Sequence, residues 1–245
     1  MINFKQLITV ENAFKGNRFY RIDDTFKSRR FVIPDIHGCY DTFVELLNQI
    51  NFGKDDFLFL LGDYINRGKK SGEVLDKIIE LIKNDYRVFP LLGNHEHMLL
   101  EKHLKDYTEE ELKLPRQFLN KGLLNGSNKI KNEYLGFISN LPYYYELTDY
   151  YIVHAGFNLT EKDFLNDYLS MIWLNEMEIQ NKIIDKRIII GHKTKSLNEI
   201  KHEIENQSQI IHLDNGCVYK SNPKLGNLIC FDLDTNKLFI QKNID

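Results

Sequence analysis

Phe57-Leu58-Phe59-Leu60-Leu61-Gly62-Asp63 joins an unbroken apolar run, through one glycine, to a carboxylate. The same construction recurs along the chain. Phe31-Val32-Ile33 leads through Pro34 to Asp35, and Val88-Phe89-Pro90-Leu91-Leu92 leads through Gly93 to Asn94. Tyr151-Ile152-Val153 runs straight to His154, and Ile188-Ile189-Ile190 runs through Gly191 to His192. Short continuous runs of β-branched and aromatic residues are strands buried on both faces. Between them, residues 42–50 place Phe43, Leu46, Leu47 and Ile50 on one stripe, and residues 74–82 do the same with Val74, Leu75, Ile78, Ile79 and Ile82. That is the period of amphipathic helices. Strand, helix, strand, helix predicts an α/β fold with parallel strands. Ligands of such sheets lie outside the carboxyl ends of the strands. Those ends carry two aspartates, an asparagine and two histidines here, and five such ends in register define a site.

Beyond His192, residues 210–213, 228–231 and 238–241 predict further strands, with a hairpin turn over Asp232-Leu233-Asp234-Thr235-Asn236-Lys237. Residues 101–135 differ. They hold Glu109-Glu110-Glu111 and an Asn/Gly/Lys-rich stretch over 120–132, read as helices and loops forming a cap or rim, or as a solvated excursion. The five prolines are scattered, and no repeat or Gly/Ser-rich linker divides the chain, so residues 1–245 are expected to form a single domain. A net charge of −3 without a basic block argues against a nucleic-acid partner. No apolar run approaches the roughly 18 residues of a membrane span, and residues 1–20 lack a secretory apolar core, so a cytoplasmic protein with no membrane association is expected. The three cysteines (Cys39, Cys217, Cys230) form no C-x-x-C and are read as reduced thiols, Cys39 as a small buried hydrophobe.

Asp35, His37, Asp63, Asn94, His154 and His192 mix carboxylate, amide and imidazole donors without a thiolate. Such donors suit Mn, Fe or Zn better than Ca. Six groups exceed one four-coordinate ion, whereas one bridging carboxylate between two ions uses them all. Two ions about 3.5–4 Å apart are what phosphate-ester hydrolysis employs. Each residue has a plainer reading. Alone, an aspartate could cap a helix, a histidine could sit in a hydrogen-bonded core, Asn94 could be a turn residue, and Arg67 could form a structural ion pair. The set in register outweighs these. His95-Glu96 is not a zinc-protease motif, because position 99 is Leu99 rather than histidine. His97, His103, His202 and His212 are expected at surface or structural positions, Trp173 in the core, and Tyr143-Tyr144-Tyr145 packed beside Pro142.

The blocks Asp35-Ile36-His37-Gly38, Gly62-Asp63-Tyr64-Ile65-Asn66-Arg67-Gly68, Gly93-Asn94-His95-Glu96, His154-Ala155-Gly156 and Gly191-His192 resemble the calcineurin-like metallophosphoesterases. Within them the chain resembles the bacterial and phage branch of serine/threonine phosphoprotein phosphatases and the related symmetrical diadenosine tetraphosphate hydrolases. Leu213-Asp214-Asn215-Gly216-Cys217 is similar to the branch's next block. The resemblance implies a four-layer α/β/β/α sandwich and two divalent ions, Mn²⁺ first. It implies that Asp35 and His37 hold one ion, that Asp63 bridges, and that Asn94, His154 and His192 hold the other. His95 would protonate the leaving alcohol, and Arg67, Asn94 and His95 would face the phosphate. The implied substrate is a phosphate monoester, in a phosphorylated protein or peptide or in a small phosphoester, attacked in line by a hydroxide between the ions. The alternatives are a dinucleoside polyphosphate hydrolase, for which Arg116, Phe118 and Lys121 are faint pocket candidates, and a metal-binding homologue without turnover.

The chain departs from the pattern at three places. Asn66 stands where the family has the aspartate that orients and charges the general-acid histidine, which makes Asn66 a catalytic position of its own and implies reduced activity. Trp173-Leu174 is followed by Asn175 rather than leading to a second phosphate-binding arginine, a loss that Lys193 or Lys195 could offset as point charges. Pro34 replaces a glycine, and its fixed φ suits a strand end.

Overall fold

The computed structural model describes residues 18–22, 28–104, 121–126, 129–177 and 185–245. Each predicted run forms its strand: β2 (Arg30–Ile33), β3 (Phe57–Leu60), β4 (Arg87–Pro90), β6 (Tyr150–Val153), β7 (Arg187–Ile190), β8 (Ile210–His212), β9 (Asn227–Asp232) and β10 (Leu238–Lys242). The two predicted stripes form α1 (Tyr40–Gln49) and α2 (Ser71–Lys83). Four more helices follow: α3 (Asn94–Leu104), α4 (Asn132–Ser139), α5 (Tyr168–Trp173) and α6 (Leu197–Glu205). Two three-residue strands, β1 (Phe19–Arg21) and β5 (Tyr144–Glu146), were not legible as strands. Within residues 101–135 lie the end of α3, a helical turn over Lys121–Leu123 and the start of α4. Arg116 and Phe118 fall outside the described residues, as does the Lys121 side chain.

One sheet runs β10-β9-β2-β3-β4 and the other β1-β5-β6-β7-β8. Strands β2, β3 and β4 are parallel, as are β6, β7 and β8. The pairings Ile33 with Leu60 and Leu60 with Pro90 level the carboxyl ends of the first trio. Alternate residues divide between layers, as the period of two requires. Val32, Phe59, Phe89 and Phe231 of one sheet meet Tyr145, Ile152, Ile189 and Ile211 of the other in a buried middle layer. The Phe59 ring centroid lies 5.0 Å from that of Phe89 and 5.7 Å from that of Tyr145. Residues of opposite parity (Phe31, Ile33, Leu58, Leu60) pack with Phe43 and Leu46 of α1 and Val74, Leu75 and Ile78 of α2. On the far side Tyr144, Tyr151 and Val153 pack with Phe157, Met171 and Ile172. The result is helix, sheet, sheet, helix. Each fully buried Leu, Ile or Phe contributes about 1.5–3 kcal/mol of transfer free energy.

Carboxylates help fix the starts of described helices. Cys39 offers α1 no side-chain cap. Instead the Asp245 carboxylate accepts from the backbone N–H groups of Asp41 (3.2 Å) and Thr42 (3.0 Å) and from the Thr42 hydroxyl (2.7 Å). Ser196 and Glu199 cap α6 reciprocally. Trp173 corrects an expectation: it is 40 % exposed. The short α5 buries Met171 and Ile172, which leaves Leu169 and Trp173, one turn apart, facing solvent. Tyr143, Tyr144 and Tyr145 are buried as expected, and all three cysteines are buried and free. No described helix is long and apolar enough to cross a membrane.

Candidate metal centre

The strand ends deliver their side chains to one buried cluster. Loops after β2 and β3 bring in Asp35, His37, Asp63, Asn66 and Arg67, the start of α3 beyond β4 brings in Asn94 and His95, and loops after β6 and β7 bring in His154 and His192. Asp35, His37, Asp63, Asn66, Asn94, His95 and His154 are all buried, while Arg67 is exposed. Reaching this cluster distorts the backbone. His37, Asp63, Asn66, Arg67 and His192 all have left-handed φ, from 47° to 69°. Asp, Asn and His tolerate that region better than most residues, and such concentrations mark functional sites. Gly62, at φ 102°, touches the next loop so closely that a Cβ there would lie 2.6 Å from the Gly93 nitrogen.

Asp63 is the centre. Its Oδ2 lies 3.4 Å from His37 Nε2, and its Oδ1 lies 3.7 Å from His154 Nε2. Two sets of donors therefore share it, one with His37 and His95 and one with His154 and His192. Asp35 Oδ2 stands 4.0 Å from His37 Nε2, while its Oδ1 accepts from the His192 backbone N–H at 3.0 Å. The imidazole tautomers point the same way. His37 Nδ1 bonds the Ile65 carbonyl (2.9 Å) and His154 Nδ1 bonds the Leu61 carbonyl (2.8 Å). A carbonyl only accepts, so both Nδ1 atoms carry hydrogen and both Nε2 atoms present lone pairs.

Those lone pairs face other lone pairs. His37 Nε2 is buried with no hydrogen-bond partner among the described residues. The Asn94 oxygen lies 3.1 Å from His154 Nε2 and faces only acceptors, the others being both Asp63 oxygens and His192 Nδ1. Turning the amide over would satisfy it without a cation; as oriented, the group lacks any positive partner. Donors on adjacent corners of an octahedron with bonds near 2.1 Å sit about 3 Å apart. Nitrogen and oxygen donors at these separations fit first-row divalent ions.

Burial sets the electrostatics. It pushes Asp63 up to about 7 and holds Asp35 well above the ordinary carboxylate range, with the Asp63 charge adding to the latter. Burial, followed by the charge of Arg67 or neighbouring imidazoles, lowers His95 and His192 to about 3. His154 falls to about 4, mainly by burial. Imidazoles are thus neutral at pH 7, as metal binding requires. The sign for metal binding follows from Asp63. Below its raised pKa a cation must displace a proton, so Mn²⁺ affinity should fall as pH drops through about 7. Titration calorimetry in buffers of different ionisation enthalpy should show proton release near pH 6.5 that diminishes as the pH rises above 7.

Asn66 Nδ2 lies 2.8 Å from His95 Nδ1, and Asn66 Oδ1 is buried without a partner. An amide N–H donating there makes Nδ1 the acceptor and puts the hydrogen of the neutral ring on Nε2. The Asn66 backbone is fixed in turn by donating to the Ser71 hydroxyl at 3.0 Å. Arg67 Nη1 donates to the Tyr219 hydroxyl at 2.9 Å. Lys193 pairs with Glu176 at 2.9 Å, and Lys195 stands 4.0 Å from Glu203, so both are engaged with carboxylates. Of the other histidines, His97 is buried 3.8 Å from Glu101, His212 bonds Glu203, and His103 and His202 are exposed.

Sequence reasoning missed two buried acids. Glu96 accepts backbone N–H bonds from Asp63 (2.8 Å), Tyr64 (2.9 Å) and Ile65 (3.2 Å), which makes it the clamp on the Asp63 turn. Its place in the first turn of α3, directly after Asn94-His95, was the available signal. Asp214 is buried, accepts from Gly216 N–H at 2.7 Å, and is raised by burial and by the charge of Asp35.

The sequence profile of the calcineurin-like phosphoesterases matches residues 28–228. The chain belongs to this family. It is 43 % identical over 84 residues to a symmetrical bis(5'-nucleosyl)-tetraphosphatase of Wigglesworthia glossinidia brevipalpis, covering 33 % of this chain and 30 % of that one. It is 31 % identical over 129 residues to the protein of that name from Vibrio campbellii (strain ATCC BAA-1116), covering 51 % and 44 %. The match therefore spans less than half of these relatives' length. Among solved structures, a protein provisionally described as a diadenosine tetraphosphatase superposes with a TM-score of 0.63 at 18 % identity, covering 93 % of this chain and 99 % of that one. A serine/threonine phosphatase of Saccharomyces cerevisiae with similarity to human PP5 gives 0.56 at 17 %, covering 92 % and 82 %. At these identities the likeness establishes the fold.

Proposed function

We propose that this chain is a dinuclear, divalent-metal-dependent phosphoesterase acting on phosphate monoesters, with phosphoserine or phosphothreonine in a peptide as one such substrate. The observation that carries the reading is the buried carboxylate of Asp63, set between His37 and His154, whose Nε2 lone pairs face it from opposite donor sets. Asp35 and His37 would hold one ion, and Asn94, His154 and His192 the other, with Mn²⁺ the first choice and Fe or Zn the alternatives. Bound ions would polarise the phosphoryl oxygens and acidify a shared water. The chain's own groups do the rest. Arg67 offers a planar fork of donors to the phosphate dianion, together with the Asn94 amide and His95. His95 gives a proton to the leaving oxygen from Nε2, because its Nδ1 faces the Asn66 amide. A neutral imidazole is a far weaker acid than an imidazolium, so the activity is reduced relative to a chain carrying aspartate at position 66.

The names of the curated relatives favour a second reading, symmetrical cleavage of a dinucleoside polyphosphate. A panel with Mn²⁺ content verified separates them. Phosphate release from p-nitrophenyl phosphate and a phosphoserine peptide is the expected result. ADP formation from diadenosine tetraphosphate in preference to both would replace the first reading with the second. No turnover with both ions bound would leave a metal-binding homologue without catalysis.

A further inference from the structure

We propose that Tyr219 is a positioning residue that aims the Arg67 guanidinium at the phosphoryl group; this rests on the reading of Arg67 as the phosphate-binding cation. The two residues lie 152 positions apart, and Arg67 Nη1 donates to the Tyr219 hydroxyl at 2.9 Å. The guanidinium carbon stands 5.7 Å from the centre of the Tyr219 ring. An exposed arginine samples many rotamers, and a fixed acceptor removes most of that freedom.

Tyr219 is the fixed partner. Its backbone N–H donates to the Gly216 carbonyl at 2.9 Å, and its carbonyl accepts from the Asn222 N–H at 2.9 Å. Its ring lies flush against Gly216, at φ 60°, where a Cβ would come within 2.7 Å of ring Cδ2. Asn215 anchors the same loop on both sides. Its Nδ2 donates to the carbonyls of Lys195 (2.8 Å) and Lys224 (3.1 Å), and its Oδ1 accepts from Asn227 Nδ2 at 2.7 Å. The β8–β9 loop is therefore a rigid post. Arg67 springs from two consecutive left-handed residues, Asn66 at φ 69° and Arg67 at φ 64°. The post takes one hydrogen of Nη1 and leaves the other guanidinium donors for a phosphate. With 41 % of its surface exposed, Tyr219 stands at the mouth of the site.

The test is the Kd of inorganic phosphate for the Mn²⁺-loaded chain, by calorimetry, in the parent, Tyr219→Phe, Arg67→Ala and the double variant, with kcat and KM on p-nitrophenyl phosphate alongside. Loss of a hydrogen bond to a positioned charge should weaken phosphate binding about threefold to tenfold in Tyr219→Phe, with KM rising by the same factor. On the Arg67→Ala background the same change should have less than about a twofold effect, since residues acting as one unit are not additive. Equal weakening with and without Arg67, or a Tyr219→Phe chain that binds phosphate like the parent, would overturn the proposal while leaving Arg67 in its role. An Arg67→Ala chain that binds phosphate like the parent would overturn both.

Discussion

Asp63→Asn should lower p-nitrophenyl phosphate turnover by about a thousandfold or more, and the purified variant should retain fewer than two ions per chain. The expectation follows from the position of one carboxylate between two donor sets. Metal ions supply several kcal/mol of transition-state stabilisation in phosphoryl chemistry, and about 4 kcal/mol corresponds to that factor. The substitution isolates charge from structure. The His95 backbone N–H that bonds Asp63 Oδ1 at 3.0 Å keeps an acceptor in asparagine, and a φ of 52° is tolerated by Asn as by Asp. Thermal unfolding of the metal-free variant should therefore occur no lower than that of the metal-free parent, because burial raises Asp63 and asparagine removes the cost of ionising it. Unchanged metal content with unchanged turnover would show that Asp63 does not bridge.

Asn66→Asp should raise kcat about 10- to 100-fold on a phosphoserine peptide and by a smaller factor on p-nitrophenyl phosphate. In the present chain the Asn66 amide faces His95 Nδ1 at 2.8 Å, and burial with Arg67 holds that imidazole near 3, so it is neutral. An aspartate there would accept the Nδ1 hydrogen and stabilise the imidazolium, a competent acid near neutral pH. A serine alkoxide needs that proton far more than a nitrophenolate does, which is why the two substrates should respond unequally. An equal response, or none, would show that proton donation by His95 does not limit the reaction.

How far the sequence reaches differs between parts of the molecule. Runs buried on both faces carry their own signal, so Phe31-Val32-Ile33, Phe57 to Leu60 and Ile188 to Ile190 are legible as strands, and the polar residue at each carboxyl end follows in register. Strands β1 and β5 are three residues long; β1 is held by pairing of Phe19 with Tyr144, a contact across the chain that no local pattern announces, and β5 lies between β1 and β6. Trp173 misleads because hydrophobicity alone sends tryptophan inward, whereas a six-residue helix has room to bury only Met171 and Ile172. Glu96, Asp214 and Tyr219 escaped for a related reason. Each acts on backbone or on a side chain delivered by a different loop, and such roles appear only when the loops are brought together. Asn66 was legible as a departure from the family's pattern, and the structure adds which of its atoms faces His95.

The most direct test of the two-ion centre is anomalous scattering at the manganese edge from crystals grown in Mn²⁺. Two peaks are predicted, with Asp63 between them, His37 and Asp35 on one side, and Asn94, His154 and His192 on the other. A cavity without manganese, or one ion held by these imidazoles with Asp63 turned away, would contradict the account.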